Sequence, residues 1–198
     1  MRFQDVARFE FRVFGRELAV ARDALAALGT GEIQAASRET YIVTRLNVES
    51  NVKVREDHLE AKGLQGRLRL LEQWQPIFKS TFPVPAGDIE NVVAPALGVD
   101  VELGDAPPLS EQELLMFVAE QPALASVVVD KERTLFDLGD CEAEFTRLAI
   151  GDDHMETVAI EGAEAKAVEA LLKRTGLAAM QNESYSVLLQ RRLFSVAR

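Results

Sequence analysis

Charged and apolar residues alternate at strand period in several places along this chain. In Arg8-Phe9-Glu10-Phe11-Arg12-Val13, successive side chains of an extended backbone point to opposite faces. Arg8, Glu10 and Arg12 therefore share one face, and Phe9, Phe11 and Val13 the other. The pattern returns in Asn51-Val52-Lys53-Val54-Arg55, in Leu59-Glu60-Ala61-Lys62 and in Cys141-Glu142-Ala143-Glu144-Phe145. Several strands with long charged side chains on one face predict a sheet curled around a polar interior. An open antiparallel sheet with one solvated face would give the same alternation. Charges of both signs in one cavity suit an anion together with a metal cation.

The periodicity predicts a first strand over residues 3–14, then an amphipathic helix over 15–28 stopped by Gly29 and Gly31. Strands follow at 40–46, 51–56, 58–64, 66–74 and 76–82, with Gly63 and Gly66 as punctuation. Residues 83–109, which hold Pro83, Pro85, Pro95, Pro107 and Pro108, read as a connection with a short helix over 88–97. Ser110-Glu111-Gln112-Glu113 reads as a capping box opening a helix that Pro122 closes. Strands are predicted at 124–137, 140–150 and 155–161, and a helix at 163–174 ended by Gly176. A last helix starts near Asn182, with Tyr185, Leu188, Leu189 and Leu193 on its apolar side. The organisation is one domain, residues 1–198, with halves of about 1–82 and 110–198 joined by 83–109. The alternation places Phe9, Phe11, Val13, Val52, Val54, Val158 and Ile160 in the core. Trp74, Phe78 and Phe82 share one strand parity and also read as core.

Composition narrows the function classes. A hydrophobic content of 47% over 198 residues is enough for a substantial core and excludes a mainly disordered chain. The formal net charge is −10 and unevenly spread: the first 82 residues hold 13 basic against 11 acidic side chains, the remainder 9 against 21. An acidic exterior repels a phosphate backbone, so nucleic acid is not an expected partner. No apolar run approaches the ~20 residues that cross a bilayer. The first residues lack the apolar stretch of a secretory signal, which makes a cytoplasmic location the expectation. The sole cysteine, Cys141, reads as a small core residue. Asp152-Asp153-His154 and His58 read as solvated turns, and Gly29-Thr30-Gly31 as a helix stop. No P-loop, GxSxG, HExxH or CxxC motif occurs. The sequence leaves the oligomeric state open.

Six short charged motifs follow one another in order: Arg8-Phe9-Glu10-Phe11-Arg12, Lys53-Val54-Arg55, Leu59-Glu60-Ala61-Lys62, Lys131-Glu132-Arg133, Glu142-Ala143-Glu144 and Ala159-Ile160-Glu161. Ser184-Tyr185 then opens the last helix. This series resembles the CYTH, or triphosphate tunnel metalloenzyme, family, which includes class IV adenylate cyclases, thiamine triphosphatases and inorganic triphosphatases. The resemblance implies an α+β fold, an antiparallel eight-stranded tunnel-like β-barrel with helices packed outside. It also implies that Glu10, Glu144 and Glu161 hold Mg²⁺ or Mn²⁺, hard cations that prefer oxygen ligands. Arg12, Lys53, Arg55, Lys62 and Arg133 would then bind the phosphates and favour charge developing at the transferred phosphorus. The ligand implied is a small phosphorylated molecule or a triphosphate.

Departures from the family pattern fall on the metal cluster. Arg8 stands for the first acid of the family's E-x-E-x-K strand, and Ala159 for one acid of its terminal E-x-E pair. Arg12 replaces a compact ammonium by a planar fork, and Glu60 adds an acid. Two lost carboxylates predict weakened metal affinity, and Arg8 is expected to pair with Glu161, Glu144 or another acid on its face. Two functional readings follow: a triphosphate-binding tunnel with metal-dependent hydrolysis, or a catalytically degenerate module that binds an anion or a protein.

Overall fold

The computed structural model describes residues 6–195. Among them run the strands β1 (Arg8–Gly15), β2 (Gly31–Ile33), β3 (Ser37–Thr44), β4 (Ser50–Arg55), β5 (His58–Leu68), β6 (Leu71–Thr81), β7 (Leu124–Asp137), β8 (Cys141–Ile150) and β9 (Asp153–Gly162). The helices are α1 (Ala19–Ala26), α2 (Ala86–Asp88), α3 (Ala94–Leu97), α4 (Glu111–Glu120), α5 (Ala165–Arg174) and α6 (Tyr185–Phe194). A π-helical turn, Ile89–Val93, joins α2 to α3. The hydrogen-bonded order is β2-β7-β3-β4-β5-β6-β1-β9-β8, and β8 pairs again with β7. Eight antiparallel strands thus close on one another and β2 is appended to β7, which is the α+β barrel expected.

The chain divides into two compact units, which do not follow the sequence halves. Of the described residues, one gathers those up to Arg38 with Leu64–Gln75 and Val129–Ser184; the other gathers Glu39–Gly63, Pro76–Val128 and those from Tyr185 to residue 195.

In the first unit the apolar faces of β1, β9 and β8 lie in register, with Phe11 opposite Ile160 and Val13 opposite Val158. Ala143 pairs with Ile160 and Phe145 with Val158 on the far side of β9. Ala21 and Leu25 of α1 and Val168, Leu171 and Leu172 of α5 join these residues in one core. Val168, Leu171 and Leu172 stand at the helical spacing that puts them on one stripe. Gly176, at φ 74, ends that helical stretch in the left-handed conformation that suits glycine.

In the second unit Ile42, Val52, Val54, Leu59 and Ala61 form the sheet side of a separate core. Ile89, Val93, Leu97, Leu114 and Val118 cover it. The capping box is present: the Ser110 amide donates to Glu113 Oε2 at 2.8 Å and the Glu113 amide to Ser110 Oγ at 3.3 Å.

Several expectations need correction. Gly63 and Gly66 do not break the meander but lie inside β5, and Gly63 pairs with Ser50. The turn falls at Arg69-Leu70 instead, where Arg69 has φ 56 and donates to both Glu169 oxygens at 2.9 Å. Strand β1 begins at Arg8, and residues 3–5 lie outside the described residues. Strand β2 was not foreseen, being only three residues long. The last helix starts at Tyr185 and not near Asn182, whose Oδ1 instead accepts the Arg12 amide at 2.8 Å. Leu193 is 39% exposed and lies off the buried stripe of α6. Trp74 and Phe78 share a parity but not an environment. Trp74 stands in register with Arg8, on the charged face of β1, while Phe78 packs against the core that holds Ile42. Pro76 stands between them and has no amide to give the ladder.

Candidate functional site

Two clusters of charged side chains stand on the faces opposite the two cores. Paired residues of antiparallel strands place their side chains on the same face, so register alone assembles the first. Glu72 of β6 is opposite Glu10 of β1, Glu10 is opposite Glu161 of β9, and Glu161 is opposite Glu142 of β8. One level along, Arg12 is opposite Ala159, and Ala159 is opposite Glu144. Beyond these, Thr157 pairs with Thr146, and Thr146 with Arg133.

The side chains close on one another. Arg12 Nε donates to Glu10 Oε1 at 2.9 Å, and Arg12 Nη1 donates to Glu144 Oε1 at 3.1 Å and to the buried Thr157 hydroxyl at 3.4 Å. Arg8 Nη2 lies 3.1 Å from Glu142 Oε2, and its Nε 3.8 Å from Glu161 Oε1. The expected pairing of Arg8 with Glu161 is therefore present, with Glu142 as a nearer partner, whereas Glu144 belongs to Arg12. Burial alone would raise the Glu144 carboxyl. Arg12, Lys131 and Arg133, together with the Thr146 hydroxyl, outweigh burial and hold it at about 2. Glu72 moves upward, chiefly through burial, although the Trp74 indole donates to it at 3.2 Å. Arg133 donates to Ser37 Oγ at 2.7 Å. In the same unit Lys131, 5% exposed, lines a cavity of about 670 Å³ with Ser37, Arg147, Leu148, His154 and Met155.

The second cluster belongs to β3, β4, β5 and β6. Glu39, fully buried, accepts from the Tyr41 hydroxyl at 2.9 Å and from Lys53 Nζ at 3.1 Å. Arg55 donates to Glu60 Oε1 at 3.0 Å, and Lys79 to the same oxygen at 2.8 Å. The Tyr41 ring stacks on Tyr185 of α6 with centroids 5.1 Å apart. Burial pushes the Lys53 ammonium down, against the pull of Glu39. Burial would raise Glu60, but Lys79, Lys53 and Arg55 bring it below its ordinary value. Lys62 lies on an exposed stretch of β5, yet it acts on Lys53 as a like charge.

The sequence candidates thus fall into two sets, each described within its own unit: Arg8, Glu10, Arg12, Arg133, Glu144, Ala159 and Glu161 in the first, and Lys53, Arg55 and Lys62 in the second. Sequence reading missed Glu39, Lys79, Lys131, Glu142 and Thr157 as site residues. Glu39 carried a usable signal, because Glu39 and Tyr41 alternate with Thr40 in a strand whose start was placed three residues too late.

The donor set does not fit a resident Mg²⁺ or Mn²⁺. Among the described residues no three acidic, histidine or cysteine side chains are grouped so as to hold a metal ion. Glu10 and Glu144 spend an oxygen each on one guanidinium, and Glu142 and Glu161 face another.

No family model and no curated protein matches the sequence. Solved structures do match the fold. A protein from Pyrococcus horikoshii OT3 is 16% identical, with a TM-score of 0.51 over 91% of this chain and 98% of that one. A conserved hypothetical protein from Pyrococcus furiosus is also 16% identical, with a TM-score of 0.52 and 90% and 98% covered. A candidate adenylate cyclase from Bacillus halodurans is 11% identical, with a TM-score of 0.52 and 95% and 98% covered. At these identities the likeness is one of fold. The chain shares the fold of these three structures.

Proposed function

We propose that this protein binds a small phosphorylated anion, with the second cluster as its anion site and without a resident divalent metal. The observation that carries the reading is the excess of cations in that cluster: Lys53, Arg55 and Lys79 pair with two carboxylates, Glu39 and Glu60, and Lys62 acts on Lys53 as a further like charge. Cations in excess on paired strands attract an anion, and the partly desolvated setting strengthens each contact relative to water. Arg12 and Arg133 add phosphate-binding capacity in the first unit. A cytoplasmic setting suits such a ligand and suits the single buried thiol of Cys141.

Calorimetry with tripolyphosphate tests this. Lys62→Ala combined with Lys79→Ala alters only side chains at the open side of the cluster, so the fold should survive. The double variant should bind at least about ten-fold more weakly. Unchanged affinity would remove the second cluster from the reading.

A second reading, Mg²⁺- or Mn²⁺-dependent hydrolysis of a triphosphate bond, is favoured by one observation: Glu10, Glu161 and Glu142 stand in register on three adjacent strands. Phosphate release from tripolyphosphate, nucleoside triphosphates and thiamine triphosphate, with either metal, distinguishes it. Release that requires the metal and disappears in Glu161→Gln would establish the enzymatic reading.

A further inference from the structure

We infer that the Arg12 guanidinium is a built-in cation standing where a divalent metal would otherwise be needed, and that Ala159 is the residue that admits it. This goes beyond the anion-binding reading and concerns the first cluster alone.

Three oxygen acceptors from three strands converge on Arg12: Glu10 Oε1 of β1 at 2.9 Å, Glu144 Oε1 of β8 at 3.1 Å and Thr157 Oγ1 of β9 at 3.4 Å. Oxygen atoms of this kind, two of them charged, are what a hard cation attracts. Here the chain supplies the cation, and a guanidinium keeps its charge at every accessible pH. Its backbone is pinned as well: the Arg12 amide donates to Asn182 Oδ1 at 2.8 Å, and its carbonyl accepts from the Glu183 amide at 2.8 Å.

Register explains the role of Ala159. Strands β1 and β8 flank β9, so their backbones stand about 9.5 Å apart. Arg12 reaches Glu144 across β9, and the residue directly between them is Ala159, 4% exposed. Its methyl group leaves the line open. A longer side chain on that face would stand in the path of the guanidinium, and an acid there would offer it a nearer partner. The alanine and the Arg12–Glu144 bridge therefore belong together as one substitution of a guanidinium for a metal.

Titration of the whole protein with Mn²⁺ alone, read by calorimetry and by electron paramagnetic resonance, tests the inference. The parent should show no saturable site, and Mn²⁺ should leave its thermal unfolding unchanged. Arg12→Gln, which keeps a hydrogen-bonding side chain without the charge, and Arg12→Ala should each gain a saturable Mn²⁺ site, at least about ten-fold tighter than the weakest binding the titration detects. Adding Glu144→Gln should abolish that gain. If Arg12→Ala folds only when Mn²⁺ is present, that outcome supports the inference equally. A saturable Mn²⁺ site in the parent that Glu144→Gln removes would overturn it, as would no gain in a folded Arg12→Gln.

Ala159 is tested separately. The stability effects of Arg12→Gln and Glu144→Gln should be non-additive in the parent and additive in an Ala159→Leu background. Continued non-additivity there would remove Ala159 from the inference. Tripolyphosphate titrations with Mn²⁺ and with chelator separate the two readings. Binding that requires Mn²⁺ overturns the metal independence of the anion reading, while the role of Arg12 is still decided by the Mn²⁺ titrations. Absence of tripolyphosphate binding in both overturns anion binding, while the Mn²⁺ titrations still decide the role of Arg12.

Discussion

Glu144 is the residue at which the electrostatics of the first cluster can be measured. Its carboxyl sits at about 2 in the folded protein, against 4.5 for an unperturbed glutamate. A folded value below the unfolded one contributes stability above the unfolded pKa, and that stability is lost as pH falls. The loss should run from about pH 4.5 to about pH 2 and amount to roughly 3 kcal/mol. Urea unfolding at a series of acidic pH values checks this. Glu144→Gln should be less stable than the parent at pH 7 and should show a shallower decline below pH 4.5. An unchanged decline would mean that other carboxylates dominate acid unfolding.

At the scale of elements, strand pairing brings a fully buried acid, Glu39 on β3, against Lys53 on β4. A buried pair contributes little net stability against an apolar replacement, but removing one partner strands a charge. Lys53→Met should therefore cost about 3–5 kcal/mol in urea unfolding, and Glu39→Gln in the same background should recover a large part. If the double variant were as unstable as the single one, packing of the Lys53 stem would be the cause and not charge. The capping box of α4 allows a cleaner test, because its two reciprocal bonds are local. Ser110→Ala should cost about 1 kcal/mol without altering tripolyphosphate affinity.

For the molecule as a whole, a formal net charge of −10 opposes any anion approaching from a distance, whereas the proposed anion site would attract it at close range. Salt screens exposed charges over about 8–10 Å and partly buried ones less. Raising the ionic strength should therefore weaken tripolyphosphate binding less steeply than a count of four cations suggests. Loss of all binding between low and physiological salt would indicate attachment to the exposed ends, Lys62 and Lys79, and not to Lys53 and Arg55.

The alternation of β1, β4, β5 and β8 determined which side chains share a face, because a strand has period two whatever it packs against. The same local chemistry made the capping box of α4 and the glycine after α5 legible. The resemblance carried by six short motifs foretold a closed, antiparallel eight-stranded barrel. Local pattern could not say which strands would be neighbours in register. That choice put Ala159 between Arg12 and Glu144, moved Trp74 beside Arg8, and buried Glu39 against Lys53. It also decided that the acids of the first cluster would face guanidiniums of their own chain. Period two assigns a face; only the pairing of distant strands assigns a partner across it.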